Sequence, residues 1–135
     1  MGSPESAGFT LVDYRISKVS FEYIPSDSPI NIDINPSGYY NKESQEFDLL
    51  LDFTATTSES KKDFIKAQME TKFKFKEKIN EIPEFFFTNA PAIAFPYLRT
   101  FISTITLQAN IRLLILPTLN LSPLAEVLKA NTTLK

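Results

Sequence analysis

The sequence predicts an α+β domain, with strands first and helices last. Two observations carry this. Up to about residue 79 the apolar residues recur with period two, as in strands that bury one face. From about residue 89 they recur at three- and four-residue steps, as on a helix. That order points to helices packed on one side of an antiparallel sheet. A chain of 135 residues suits one domain, here 9–135, and folding at this size hides roughly two-thirds of the chain's surface.

The polar opening "MGSPESAG" reads as a flexible leader over 1–8, without the basic and apolar regions of a signal peptide. In "FTLVDYRISKVSFEYI" (9–24) Val12, Tyr14 and Ile16 share one parity, whereas Val19, Phe21 and Tyr23 share the other. A one-residue slip turns every side chain to the opposite face, so a bulge is expected near Ser17–Lys18. "PSDSP" breaks this strand. "INIDINPSGYY" then reads as an extended crossover, with Ile30, Ile32 and Ile34 alternating and a turn at Pro36-Ser37-Gly38 before Tyr39 and Tyr40.

A hairpin follows. Phe47, Leu49, Leu51, Phe53 and Ala55 line one face of its first strand (46–57), and "SESK" (58–61) supplies the turn. In the second strand (62–79) Ile65, Ala67, Met69, Thr71, Phe73 and Phe75 face one way and Lys66, Gln68, Glu70, Lys72, Lys74 and Lys76 the other. Such a sheet is packed on one side and solvated on the other. In the last third, Asn89 is a possible cap, with Pro91 in the first turn. Ala94, Leu98, Phe101, Ile102, Ile105 and Ala109 make the amphipathic face, and Pro96 marks where the regular helix begins. After "LPTLNLSP" a short helix starts near Ser122, with Leu124, Val127 and Leu128 as its stripe.

Composition excludes much chemistry. The chain has no histidine and no cysteine, so the usual zinc ligands, imidazole bases and thiol nucleophiles are missing. Its three glycines form no phosphate-cradling loop. No catalytic residue, metal site or cofactor is expected, and the protein is not read as an enzyme; Asp48 and Asp52 are read as solvated charges on an open sheet. The net charge of −2 shows no single-sign field. The lysines 66, 72, 74, 76 and 78 lie opposite Phe73 and Phe75, so no base-stacking platform accompanies them. They are read as a soluble face blunting an edge strand, and no nucleic-acid partner is expected. The most apolar stretch, Ala94 to Pro117, contains Arg99, Gln108, Asn110 and Arg112, too polar for a bilayer span. No membrane insertion is expected, and the cytoplasm follows as the default location.

"AIAFPYLRTFISTITLQANIRLLILPTLNLSPLAEVL" resembles the C-terminal signature of the SecB-like chaperone family. Phe95, Pro96, Tyr97 and Arg99 match its first part, and Pro117, Leu119, Asn120, Leu121 and Pro123 match P-x-L-N-L-x-P. "KVSFEY" resembles the family's first strand, and the likeness spans about 9–129 in element order. The resemblance implies a four-stranded antiparallel sheet followed by a long helix and a short C-terminal helix. It implies a homo-oligomer, a dimer or dimer of dimers, joined through Val12, Tyr14 and Ile16 on the first strand and Leu98, Phe101, Ile102 and Ile105 on the helix. It implies an ATP-independent holdase for unfolded or precursor polypeptides, with client grooves at Ile30, Ile32, Ile34, Tyr39, Tyr40, Leu119, Leu121, Leu124 and Leu128. Glu22 matches an acid that docks the translocation ATPase SecA in export members. Lys18 and Ala67–Gln68 stand where other docking acids would be, and the chain ends "KANTTLK" without an acidic tail. Those departures argue against delivery to SecA and bring forward a dedicated chaperone of one partner, such as an antitoxin, or a structural oligomeric subunit.

Overall fold

The protein is described from a computed structural model covering residues 8–59, 61–117 and 119–135. Apart from Gly8, the expected leader lies outside these residues, as do Ser60 of the hairpin turn and Thr118 of the return loop. The elements are β1 (Phe9–Phe21), β2 (Ile30–Asn41), β3 (Glu46–Thr57), β4 (Asp63–Phe75), α1 (Glu84–Gln108), α2 (Leu124–Ala130) and β5 (Thr132–Leu134). The sheet order is β1-β4-β3-β2-β5, antiparallel except for β5, which runs parallel to β2. The sheet thus has five strands where the family resemblance implied four. α1 covers one face of the sheet, called inner here, and α2 packs on β2 beside it.

The alternation in β3 and β4 is fully realised. Phe47, Leu49, Leu51, Phe53 and Ala55 are buried on β3, as are Ile65, Ala67, Met69, Thr71, Phe73 and Phe75 on β4. β4 lies between β1 and β3, so its lysines do not guard an edge; the outer face they occupy is the solvated side of an interior strand. Lys72 lies 3.7 Å from Glu46 and 3.9 Å from Asp48, and Lys66 3.9 Å from Asp63, so that face carries mixed rather than basic charge.

β1 holds the bulge expected near Ser17: pairing jumps from Ile16↔Met69 to Lys18↔Gln68. A second shift, between Leu11↔Phe73 and Asp13↔Lys72, sets Val12 out of register. Two insertions return the strand to its starting face. Phe9, Leu11, Tyr14, Ile16, Val19 and Phe21 therefore all sit opposite inner-face residues of β4. A third shift makes Phe64 the extra residue between Asp63 and Ile65, so both Phe64 and Ile65 are buried.

Pro36-Ser37-Gly38 is not a turn. β2 pairs with β3 without interruption from Ile30↔Thr57 to Asn41↔Glu46. Pro36 is tolerated because its missing N–H faces away from β3, on the side where its carbonyl accepts from Asn131 Nδ2 at 3.1 Å. Gly38 is required by packing, since a Cβ there would lie 2.3 Å from the Phe47 ring. The real turn follows Asn41, whose side-chain oxygen accepts from the N–H groups of Glu43 (3.0 Å) and Ser44 (3.3 Å).

α1 begins at Glu84, after Pro83, and not near Asn89. Pro91 and Pro96 both lie inside it, so Pro96 does not start the helix. Each proline lacks the N–H that would bond one turn back, at Phe87 and Ala92. The early start brings Phe86 into an aromatic cluster with Phe9, Phe47, Phe73 and Phe75 at centroid distances of 4.6–5.5 Å. The helix ends where Asn110 takes the left-handed conformation (φ 55°). The buried Thr106 hydroxyl then accepts the Leu114 N–H at 3.1 Å and pins the exit segment.

Candidate functional site

With neither histidine nor cysteine in the chain and no metal-holding cluster among the described residues, attention falls on apolar surface. Three regions concern the predicted residues; Phe85, Leu107, Val127 and Leu134 are exposed elsewhere. Along the β1 edge, Tyr14, Val19 and Phe21 remain exposed on the inner face. Tyr14 packs its ring on Tyr97 of α1 at 4.3 Å, and Ile93 is exposed one turn earlier on that helix. At the crossover end, Tyr23, Leu113 and Ile115 are exposed where the β1–β2 connection meets the exit of α1. Between α1 and the return loop, a groove of about 340 Å³ is lined by Ala92, Phe95, Pro96, Arg99, Leu119 and Leu121, among others.

Polar bonds fasten the crossover end, with Ser58 donating its N–H and hydroxyl to the Pro29 carbonyl, each at 2.9 Å, and a cation adding two more. Arg112 Nη1 donates to the carbonyl oxygens of Ser26 (3.2 Å) and Ser28 (2.6 Å), fastening the connection to the helix exit. Charge-assisted bonds of this type are stronger than neutral ones. Among the described residues Arg99 has no carboxylate within 4 Å.

The sequence-predicted client residues separate by burial. Ile30, Ile32 and Ile34 are half-buried on the inner face of β2, and Leu119, Leu121 and Leu124 are half-buried around α2 and its approach. Tyr39 turns to the outer face, where it lines a shallow concavity of about 500 Å³ with Val12, Arg15, Asp48, Leu50 and Lys72. Tyr40 and Leu128 are core residues, 1% and 0% exposed, and leave a client nothing to touch. Tyr40 fills the corner beside Phe75, and Leu128 seats α2 on the sheet.

Among the expected interface residues, Tyr14 is exposed, and Ile16, Phe101 and Ile105 are half-buried. Val12 is exposed but is set out of register by its bulge and lines the outer concavity, whereas the Tyr14 ring packs on Tyr97. Leu98 and Ile102 are 0% exposed and belong to the helix–sheet core of the chain itself. The sequence stripe could not separate the helix face that meets this chain's sheet from one that meets a partner, because both are apolar. Glu22 is exposed just past β1, its N–H bonded to the Phe64 carbonyl at 3.1 Å.

No protein-family model matches the chain. Uncharacterized protein MJ0357 of Methanocaldococcus jannaschii is 32% identical over 149 residues, an alignment covering 98% of this chain and 94% of the relative. The chain belongs to one family with it. Among solved structures, the Mycobacterium tuberculosis Rv1957 SecB-like chaperone, in complex with a ChAD peptide from the Rv1956 HigA1 antitoxin, superimposes with a TM-score of 0.68. That match covers 84% of this chain and 88% of the other at 13% identity. The fold is SecB-like. The SecB-like fold accounts for the order of four strands and two helices foreseen from the signature; β5 comes in addition. No helix among the described residues is long and apolar enough to cross a membrane.

Proposed function

We propose that this protein is an ATP-independent chaperone that holds unfolded polypeptides on its apolar surface. The observation that carries this is the amount of large apolar side chain left exposed on so small a chain. Tyr14, Val19, Phe21, Tyr23, Tyr97, Leu107, Leu113 and Ile115 are all between 39% and 65% exposed. Large apolar side chains left open in such number suit a partner-binding surface. A client held there gains from many small burials of about 25 cal/mol per Å². Part of this surface, around Tyr14 and Tyr97, serves in this reading to join copies of the chain into a dimer or dimer of dimers. The crossover end, the β2 isoleucines and the groove by Leu119 and Leu121 take the client. Cytoplasmic location and a non-enzymatic role belong to the same reading.

A second reading has a specific support. The structural neighbour carries a peptide from an antitoxin, and Lys18 stands where export members carry an acid. A chaperone dedicated to one such partner fits both facts better than delivery to SecA through Glu22.

The test is suppression of aggregation. At several-fold molar excess the purified protein is expected to slow aggregation of several unrelated unfolded proteins; suppression of none would end the general-holdase reading. Ile32→Ser with Ile34→Ser should weaken client binding at unchanged oligomer mass, whereas a loss of oligomer mass would make these residues core or interface. Co-purification from native cells separates the readings, one dominant partner marking the dedicated chaperone.

A further inference from the structure

The C-terminal strand was not foreseen from the sequence, and nothing in the chaperone reading uses it. β5 lies parallel to β2 on the free edge of the sheet, with Thr132, Thr133 and Leu134 opposite Gly38, Tyr39 and Tyr40. Main-chain bonds hold it there. Gly38 N–H donates to Asn131 O (3.2 Å), Lys135 N–H to Tyr40 O (3.0 Å) and Lys42 N–H to Lys135 O (3.0 Å). The Asn131 side chain adds its bond to Pro36 O. Thr133, Leu134 and Lys135 are exposed, Leu134 at 49%, while the half-buried Thr132 donates its hydroxyl to Leu128 O of α2 and not to β2. Apart from the Asn131 side chain, the attachment to β2 is made by main-chain groups, and any extended chain could make the same main-chain bonds.

Among the described residues no strand pairs with the rest of that edge. Pro36, Gly38, Tyr40 and Lys42 turn a carbonyl or N–H away from β3 and toward the tail. By the period of two, Ile30, Ile32 and Ile34 turn theirs the same way. Among the described residues these three make no backbone bond on that side. Pro36, with no N–H to give, separates the open half from the half that the tail covers. The open half carries the isoleucines assigned above to client binding, so the tail and a client would meet on one strand.

We propose that β5 is a detachable self-ligand. It occupies the upper half of the β2 edge, and an extended, mostly apolar client segment displaces it to gain the whole edge from Ile30 to Lys42. The inference rests on the chaperone reading. A three-residue strand held by main-chain bonds and little side-chain burial is poised for exchange, unlike the twelve-residue pairing of β2 with β3. The apparent affinity for a client then falls by the fraction of molecules with the tail docked.

The test uses the full chain and a fluorescent polypeptide reduced and alkylated so that it cannot fold. Asn131 and Lys135 direct main-chain groups to β2, so Thr133, midway between them, does too. Thr133→Pro removes an N–H aimed at β2 while altering only an exposed side chain. The variant is expected to bind the probe about three- to tenfold tighter than the natural chain, the inverse of the open fraction. In the natural chain, saturating probe should move the amide resonances of Thr133 and Lys135 to random-coil positions while Gly38, Tyr40 and Lys42 stay protected from exchange. Equal affinities together with unmoved tail resonances would overturn the tail proposal and leave the chaperone reading standing. Binding by neither protein would overturn both. The resonance measurement needs no variant, so a misfolded Thr133→Pro would not rescue the idea.

Discussion

The two ends of the molecule are built differently. At the end where the β2–β3 hairpin meets the start of α1, Phe9, Tyr40, Phe47, Phe73, Phe75, Phe86 and Phe87 form one continuous set of ring contacts. At the opposite end, where β1 crosses to β2 and α1 runs out, no ring pair forms among the described residues. That end is fastened by Arg112 on two carbonyls and by the Thr106 hydroxyl. Apolar contact is non-directional and deepens with packing, whereas a few polar bonds hold a segment in place and leave its apolar side chains exposed. Tyr23, Leu113 and Ile115 are exposed at that second end. Ring packing is thus concentrated at one end, whereas polar bonds fasten the other and leave its three large apolar side chains open.

Two substitutions test this contrast, and a third tests the Val12 bulge on the β1 edge. The largest effect should come from Phe86→Ala, which removes a ring that is 0% exposed and has neighbours from three strands. Loss of such a ring costs about 3–5 kcal/mol, read as a fall in the urea midpoint; a loss below about 1 kcal/mol, the ordinary effect of a point substitution, would show the cluster is not the anchor. Arg112→Ala should cost less, about 1–3 kcal/mol for bonds to a charged donor. Its effect should be local: amide exchange should rise at 22–29 and at 110–116 while the aromatic end is unchanged. A uniform rise would erase the distinction between the ends.

The smallest effect concerns the Val12 bulge. The Arg15 side chain bonds Asp13 at 2.9 Å, and together with the Tyr14 N–H it holds the Asp13 carboxyl below its ordinary range. A lowered carboxylate contributes stability that is present above its unfolded value and lost as pH falls through the folded one. The pair is exposed, so the contribution is small. Arg15→Gln should raise the Asp13 titration midpoint measured by NMR, with little change in stability at neutral pH. An unmoved midpoint would remove Arg15 as the cause.

Much of the fold could be read from residue order. The β3–β4 faces were legible because period-two alternation over a dozen residues has one solution when one side is buried. The Ser17 bulge was legible because a change of parity within one strand requires an extra residue. The Val12 bulge was not, since Phe9 and Leu11 come too early to establish a parity of their own. Pro36-Ser37-Gly38 misled because those residues usually punctuate a chain. Here the proline faces a free edge and the glycine makes room for Phe47. The start of α1 was hidden by Pro91 and Pro96, which normally bound a helix and here lie within one. In the candidate site, Tyr40, Leu98, Ile102 and Leu128 looked available only because sequence records that a residue is apolar, not what already covers it.

Residue type and local spacing sufficed for the α+β order, the faces of the central strands and the absence of histidine and cysteine chemistry, and the likeness of 92–128 to the SecB-like signature added the family. Only the tertiary structure decided which apolar residues remain open, that Arg112 holds the crossover, and that "NTTLK" closes half of a sheet edge. Those outcomes depend on contacts between segments 84 to 95 residues apart, which no local pattern encodes.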